Sequence, residues 1–323
     1  MVISETAEKI RSMEIRGAGR IARSAAAALR DHAGEIDASD LPGFVSGMQR
    51  AAEILLETRP TAVSLPNAVH SVMAALAGAR DVEDARERIR AAADEFIRSS
   101  GEAVNRIAAI GARHIRDGDI VLTHCNSEAA LGCILAASRD GKDFEVFATE
   151  VRPRNQGLLT IRVLNDAGIR TSYIVDSAVR SFMNDVDLVV VGTDAVTVNG
   201  AVVNKIGTSQ IALAAHEART PFMVAAETYK FAPRTILGEL IAIEERDPAE
   251  VLSPGLQEGL PHVRVRNPAF DVTPAEYVDL IVTERGAIPP QMAYIIIRDY
   301  LGWDLEEFSR ESVSRRNETE LCI

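Results

Sequence analysis

The feature that most constrains the fold of this chain is a change of pattern at Asp117. Beyond it, apolar runs of four to six residues recur at 120–124, 145–149, 171–175, 188–192, 222–226 and 278–283. Helical stretches lie between them at 129–138, 156–167, 178–183 and 205–218. Apolar strands this short, separated by helices, specify βαβ units, which build a mostly parallel sheet with helices on both faces. The prediction is an α/β chain with a Rossmann-like, doubly wound sheet domain over residues 116–323. Residues 1–115 predict an N-terminal helical domain, with helical spacing at 21–29, 44–56, 69–77, 81–96 and 102–115. In the fourth of these, Val82, Ala85, Ile89, Ala92, Ala93 and Phe96 fall on one stripe. Gly and Pro cluster at 16–19 and 59–66, as in loops between helices. A last helix is expected from Pro289 to Tyr300, and the polar tail at 306–323 has no assignable pattern.

Charge and composition narrow the function. The 323 residues carry 35 Lys and Arg against 47 Asp and Glu, a net charge of −12. Such a chain has no general nucleic-acid footprint. It repels anions at long range, so an anion site here needs a local basic cluster. No apolar stretch approaches the roughly 20 residues that span a bilayer, and the first residues lack a signal peptide's pattern. Three cysteines, Cys125, Cys133 and Cys322, do not make a disulfide framework, which points to a reducing cytoplasm. No His/Cys/Asp cluster has structural-zinc spacing, so neither metal nor other cofactor is expected.

Chemistry concentrates at the carboxyl ends of the apolar runs, where open α/β sheets bind ligands. Cys125 follows the first run and Asp194 the fourth. Cys125 precedes a helix start, which is expected to lower its thiol pKa. Cys133 lies inside that helix and reads as a small buried hydrophobe. Asp194 is either a solvated turn carboxylate or, if desolvated behind Val189 to Val191, an acid with a raised pKa. Arg152, Arg154 and Gln156 follow the second run and suit a phosphate or sugar hydroxyls. Asn204 and Lys205, near an expected helix start, and Lys230, after the fifth run, suit substrate oxygens, or are caps and surface residues. In the helical half, Gly17-Ala18-Gly19-Arg20-Ile21-Ala22 matches G-x-G-x-x-A but lacks the strand a dinucleotide fingerprint requires. Two readings remain: a turn whose N–H groups hold phosphate, helped by Arg16 or Arg20, or a plain loop. Arg59, with Thr61 and Ser64, offers either a phosphate contact or ordinary capping.

Five segments together carry a resemblance: Thr-His-Cys-Asn at 123–126, Arg-Pro-x-x-Gln-Gly at 152–157, Val-Gly-Thr-Asp at 191–194, Asn-Gly-x-x-x-Asn-Lys-Ile-Gly-Thr at 199–208, and Arg-Asn-Pro-Ala-Phe-Asp-x-Thr-Pro at 266–274. The chain resembles, over roughly residues 10–300, the superfamily of sugar-phosphate isomerases and translation-initiation exchange-factor subunits. The resemblance implies that Cys125 and Asp194 are a catalytic pair, which favours the isomerases over the regulatory subunits. Two departures from the methylthioribose-1-phosphate enzymes point to the ribose-1,5-bisphosphate branch: Ser127-Glu-Ala-Ala-Leu-Gly132 without a glycine-rich run, and the Arg in the turn at 16–20. The resemblance thus implies an archaeal-type isomerase of AMP salvage, making ribulose 1,5-bisphosphate, with Asp194 as acid at the ring oxygen and Cys125 as base at C2, or the reverse. Two phosphates imply two cationic pockets, one from Arg16, Gly17, Ala18, Gly19 and Arg20 with Arg59, the other from Arg152 and Arg154 with Lys230. Ser127, Gln156, Asn204 and Lys205 complete the expected substrate contacts. A homo-oligomer, a dimer or an assembly of dimers, is implied as well, with no nucleic-acid or membrane partner.

Overall fold

The computed structural model describes residues 2–301 except Arg16, residues 60–62 and Glu239. Five helices come first: α1 (Val2–Arg11), α2 (Ala18–Glu35), α3 (Leu41–Leu56), α4 (Ser64–Met73) and α5 (Val82–Gly111). Asp40 and Asp81 cap α3 and α5, each accepting a 2.8 Å hydrogen bond from the backbone three residues on. On α2 the buried face is built from Ala22, Ala25, Ala26 and Leu29, small enough for α4 and α5 to pack closely against it. The stretches expected as two helices at 81–96 and 102–115 form one 30-residue helix. Gly101 does not break it, because Phe96, Ser100, Ala103 and Ile107 carry the buried stripe past it.

The rest alternates strand and helix: β1 (Ile120–His124), α6 (Glu128–Arg139), β2 (Glu145–Thr149), α7 (Gly157–Asp166), β3 (Arg170–Ile174), α8 (Val179–Phe182), β4 (Leu188–Gly192), β5 (Ala195–Val196), β6 (Val202–Lys205), α9 (Thr208–Ala218), β7 (Phe222–Ala225), α10 (Pro254–Glu258), β8 (Phe270–Thr273), β9 (Leu280–Thr283), β10 (Gly286–Ile288) and α11 (Ala293–Tyr300). Seven strands form one sheet in the order β10-β9-β7-β4-β1-β2-β3. All its pairs are parallel except β10 with β9. Alternate residues fill two cores: Val121, Val190 and Met223 face α6 and the end of α5, while Leu122, Val189 and Val224 face the side of α9 and α11. α5 therefore serves both halves, with Ile89 and Phe96 in the helical core and Ile107 and Ala108 in the sheet core.

Strand order reverses between β1 and β4, which pair directly, His124 opposite Val191. A crevice at such a reversal opens between loops that leave in opposite directions. A second, antiparallel sheet, β5-β6-β8, sits beside it. It corrects the expected helix start at Lys205: residues 202–205 are strand, and α9 begins only at Thr208, after Gly207 at φ +103°. Asn199-Gly200 supplies the turn between β5 and β6, with Gly200 at φ +82°.

A Cβ on Gly157 would lie 2.0 Å from the Thr149 carbonyl oxygen, so α7 can start against β2 only with glycine there. Gly157→Ala is expected to lower stability by about 1–3 kcal/mol or more. Gly101→Ala meets nothing within 4 Å in an exposed stretch of α5 and should stabilise instead, by up to about 1 kcal/mol. Urea midpoints of the two variants should move in opposite directions.

Candidate active site

A cavity of about 620 Å³ opens at the carboxyl ends of β1 and β4. Its walls come from the start of α2, the ends of β1, β4 and β6, the turns after β2 and β7, and residues 241–246. Cys125 and Asp194 both line it.

Cys125 stands at φ 69°, a left-handed conformation that costs a non-glycine residue roughly 1–3 kcal/mol. Neighbours on both sides hold it there. The Thr160 hydroxyl donates to the Cys125 carbonyl at 2.9 Å. His124, buried, lies between the Thr149 hydroxyl, 2.6 Å from Nδ1, and the Ile206 carbonyl, 2.9 Å from Nε2. A carbonyl only accepts, so Nε2 carries the proton and Nδ1 accepts from Thr149. Burial holds the ring's pKa below its ordinary value, which keeps it neutral. The thiol donates to Gln156 Oε1 at 3.7 Å. Burial pushes it up to about 11, against the opposing pull of Lys205. The lowering expected from the helix start is outweighed: α6 begins at Glu128, beyond Ser127, and the loss of water at the thiol dominates.

Asp194 is sewn to the second sheet. Its backbone N–H donates to the Val203 carbonyl at 2.9 Å, and the Thr193 hydroxyl donates to the same carbonyl at 2.9 Å. That brings Asn204 and Lys205 to the cavity beside it. The carboxyl is half-buried, open to the cavity, and shielded from bulk water by the surrounding chain. Desolvation raises its pKa, countered by Lys230, Lys205 and Arg59, with Glu227 acting in the raising direction.

The cations are held in different ways. Lys205 Nζ lies 4.5 Å from the centre of the Phe270 ring. Lys230, buried, pairs with Glu227 at 2.7 Å. Arg59 Nη2 is 2.9 Å from Glu244, and Arg154 is 2.7 Å from Glu250. Arg20 is exposed at the rim. Helix α2 opens at Gly17, φ +90°, with no side-chain cap, so its first N–H groups offer an anion seat along Gly17, Ala18 and Gly19. Ser127 caps α6 and lines the cavity, as does Asn204, whose amide donates to Thr208 at 3.0 Å. Among the described lining residues, Arg20, Arg59, Arg154, Arg162, Lys205, Lys230 and Arg246 outnumber Asp194, Glu128, Glu227 and Glu244. This is the local basic cluster that an anion needs on an acidic chain.

Arg152 departs from the expectation. Asp176 accepts from the N–H groups of Val151 and Arg152, at 2.9 and 2.8 Å, and Arg152 lies exposed at a small adjoining cleft rather than on the cavity. Arg16 and Thr61 lie outside the described residues. Sequence reading missed Arg162, Arg246, Glu227 and Glu244. Arg162 had a signal, its helical spacing from Leu158 and Leu159; Glu244 and Arg246 sit in a stretch with no pattern. Among the described residues no His/Cys/Asp/Glu group could hold a metal ion, and no helix is long and apolar enough to cross a membrane.

Comparison with known proteins adds a family. Residues 14–290 match the Initiation factor 2 subunit family. The chain is 56% identical, over 94% of its length and 96% of the relative's, to ribose 1,5-bisphosphate isomerase of Methanocaldococcus jannaschii. It resembles the solved structure of the Pyrococcus horikoshii OT3 translation initiation factor eIF-2B, with a TM-score of 0.76, 35% identity, and coverage of 89% of this chain and 97% of that one. It also resembles 5-methylthioribose 1-phosphate isomerase from Pyrococcus horikoshii OT3, with a TM-score of 0.73, 32% identity, and coverage of 92% and 86%.

A thiol raised from an ordinary 9.0 to about 11 is a poor nucleophile at neutral pH. Alkylation of Cys125 by iodoacetamide should run about 100-fold below a free thiol at pH 8 and rise about tenfold per pH unit towards pH 10. Lys205→Met, which removes the opposing cation, should slow it further. A rate already flat at pH 8, read by mass spectrometry, would contradict a raised thiol pKa.

Proposed function

This chain belongs to the Initiation factor 2 subunit family, and we propose that within it the protein is an isomerase converting α-D-ribose 1,5-bisphosphate to D-ribulose 1,5-bisphosphate. One observation carries the chemistry: a thiol and a carboxyl end adjacent strands in a cavity ringed by cations. The near full-length identity to a ribose 1,5-bisphosphate isomerase supports the substrate.

The anomeric phosphate locks the sugar as a ring, so ring opening comes first. Asp194 gives its proton to the ring oxygen as the bond from C1 to that oxygen breaks, and the oxygen bearing the 1-phosphate shares its electrons with C1. Cys125, as thiolate, takes the proton from C2, and the electrons of that bond form a C1=C2 enol that still carries the phosphate. The thiol returns the proton to C1 while Asp194, now a carboxylate, takes the proton of the 2-hydroxyl. A ketone stands at C2, and both side chains regain their starting states. The reverse assignment, Cys125 as acid and Asp194 as base, uses the same single proton shared by the pair. Either way the pH profile is a bell, bounded below by the proton that must leave the pair and above by the proton that must stay.

The cations on the walls support a reading with two phosphate pockets. One pocket combines the open start of α2 with Arg20 and Arg59; the other draws on Arg154 and Lys230, with Asn204 and Lys205 at the sugar. Glu244 and Glu250 pair with Arg59 and Arg154, and a bidentate phosphate would compete with them for those guanidiniums. Family membership supports a homo-oligomer, a dimer or an assembly of dimers. Free thiols at Cys125 and Cys133, among the described residues, and a phosphorylated substrate fit a cytoplasmic enzyme.

Turnover of ribose 1,5-bisphosphate beside methylthioribose 1-phosphate tests the reading. Wild type should convert the bisphosphate selectively, and Cys125→Ser and Asp194→Asn should each lose about 10²–10⁴-fold in kcat. Preference for the methylthio sugar would remove the second phosphate pocket. Tight binding without turnover would sink the isomerase.

A further inference from the structure

Glu227 is an acidic side chain built into a cavity that otherwise gathers cations. It is 3% exposed, 2.7 Å from Lys230 Nζ, and accepts the Tyr229 hydroxyl at 3.1 Å. The turn that carries it is fixed from three directions. The Thr228 N–H donates to Glu284 at 3.1 Å, and the Thr228 hydroxyl donates to the same carboxylate. The Asn67 amide, from α4, donates to the carbonyls of Tyr229 and Phe231 at 2.8 and 2.7 Å. Gly19 brings α2 so close that a Cβ there would lie 2.7 Å from the Tyr229 hydroxyl and 3.8 Å from Glu227 Oε1. A buried carboxylate is costly unless paired, and in an anion site it also repels the ligand. Its presence calls for a role that outweighs both.

The neighbouring charges supply one. Lys230, Lys205 and Arg59 all act on Asp194 to favour its ionised form, and Glu227 opposes them. Cys125 follows the end of the adjoining strand and lines the same cavity, and Lys205 acts on both groups. Arg23, on α2, reaches Ser100 at 3.3 Å and Glu128 at 4.0 Å. Glu227 is both ion-paired to Lys230 and an influence on Asp194 of the opposite sign, while Glu244 pairs in the same cavity with Arg59.

We propose that Glu227 is a positioning residue that balances the charge of Lys230, so that Lys230 can stand in the cavity for the substrate without stripping Asp194 of the proton it transfers. This deepens the isomerase reading and rests on it for the meaning of that proton. The charge balance itself is measurable without turnover.

The test is a carbon NMR titration of protein labelled at its aspartate carboxyls, with Asp194 assigned by its loss in Asp194→Asn. Glu227→Gln keeps shape and hydrogen bonding, and should move the Asp194 midpoint down. Lys230→Met should move it up by more than Glu227→Gln moves it down, and the double variant should lie between Lys230→Met and wild type. Tyr229→Phe, which removes the hydroxyl but neither charge, should leave it in place. An unmoved midpoint in Glu227→Gln, or an equal shift in Tyr229→Phe, overturns the proposal. If Glu227→Gln does not fold, Lys230→Met decides: a midpoint that fails to rise overturns it. In turnover of ribose 1,5-bisphosphate, the acid limb of kcat/KM should shift with the titration. A wild type without turnover removes the isomerase and leaves the titration to judge the charge balance.

Discussion

The His124 ring, closed between the Thr149 hydroxyl and the Ile206 carbonyl, is the contact on which the cavity's geometry depends. It joins the end of β1 to the end of β2 and to the turn after β6. Each of those ends carries part of the site: Cys125 directly, Gln156 through the turn after β2, and Lys205 just before Ile206. The turn is set against the ring itself, since a Cβ on Gly207 would lie 3.0 Å from the imidazole. Protonating the ring would add a donor where the Thr149 hydroxyl now donates, in a site from which water is excluded. Desolvation and hydrogen bonding therefore select one tautomer together. Asp271 completes the same turn by accepting from the N–H groups of Gly207 and Ser209, at 2.7 and 3.1 Å.

With the backbone fixed, the remaining question is charge. An acidic chain has to hold a basic cavity without letting the cations collapse on one another or ionise the acid they surround. The structure meets this by assigning carboxylates to cations: Glu244 to Arg59, Glu227 to Lys230, and Glu250 to Arg154 and Arg246. Lys205 instead lies over the Phe270 ring, from where it acts on Cys125 and Asp194. Burial lifts both of those groups and Lys205 pulls both back. A single cation thus acts on both members of the proposed pair, and it does so from a strand.

Much of this was legible because the central strands are apolar on both faces. β1, β2 and β4 begin and end where the sequence pattern placed them, since each is a short apolar run bounded by polar residues. The helical half, the parallel sheet and the meeting of Cys125 with Asp194 at adjacent strand ends came from the same pattern. β6 was hidden because two of its four residues are Asn204 and Lys205, which serve the cavity and give no apolar signal. α5 was read as two helices because Gly101 interrupts the composition, although the buried stripe runs through it. The fate of Arg152 was invisible for another reason. A partner distant in sequence, Asp176, binds its backbone and takes the residue away from the cavity. The thiol's pKa was misjudged in direction because the helix start is local in sequence, whereas the shell that desolvates Cys125 is assembled from distant segments.

Members of one family with closely similar folds carry both isomerase and initiation-factor names, so architecture alone cannot decide what this chain does. What discriminates is the state of two side chains. Catalysis by the Cys125 and Asp194 pair requires that one proton be held between them, neither both protons nor none. A solvated aspartate beside three cations would give up its proton, and a solvated thiol would do so only weakly. The pair would then rest with the proton on sulfur and little exchange between partners. Burial raises both groups, and Lys205 lowers both. What the cavity changes is the carboxyl's starting point: desolvation moves Asp194 in the direction of keeping its proton against three cations, and that proton is the one the proposed relay transfers.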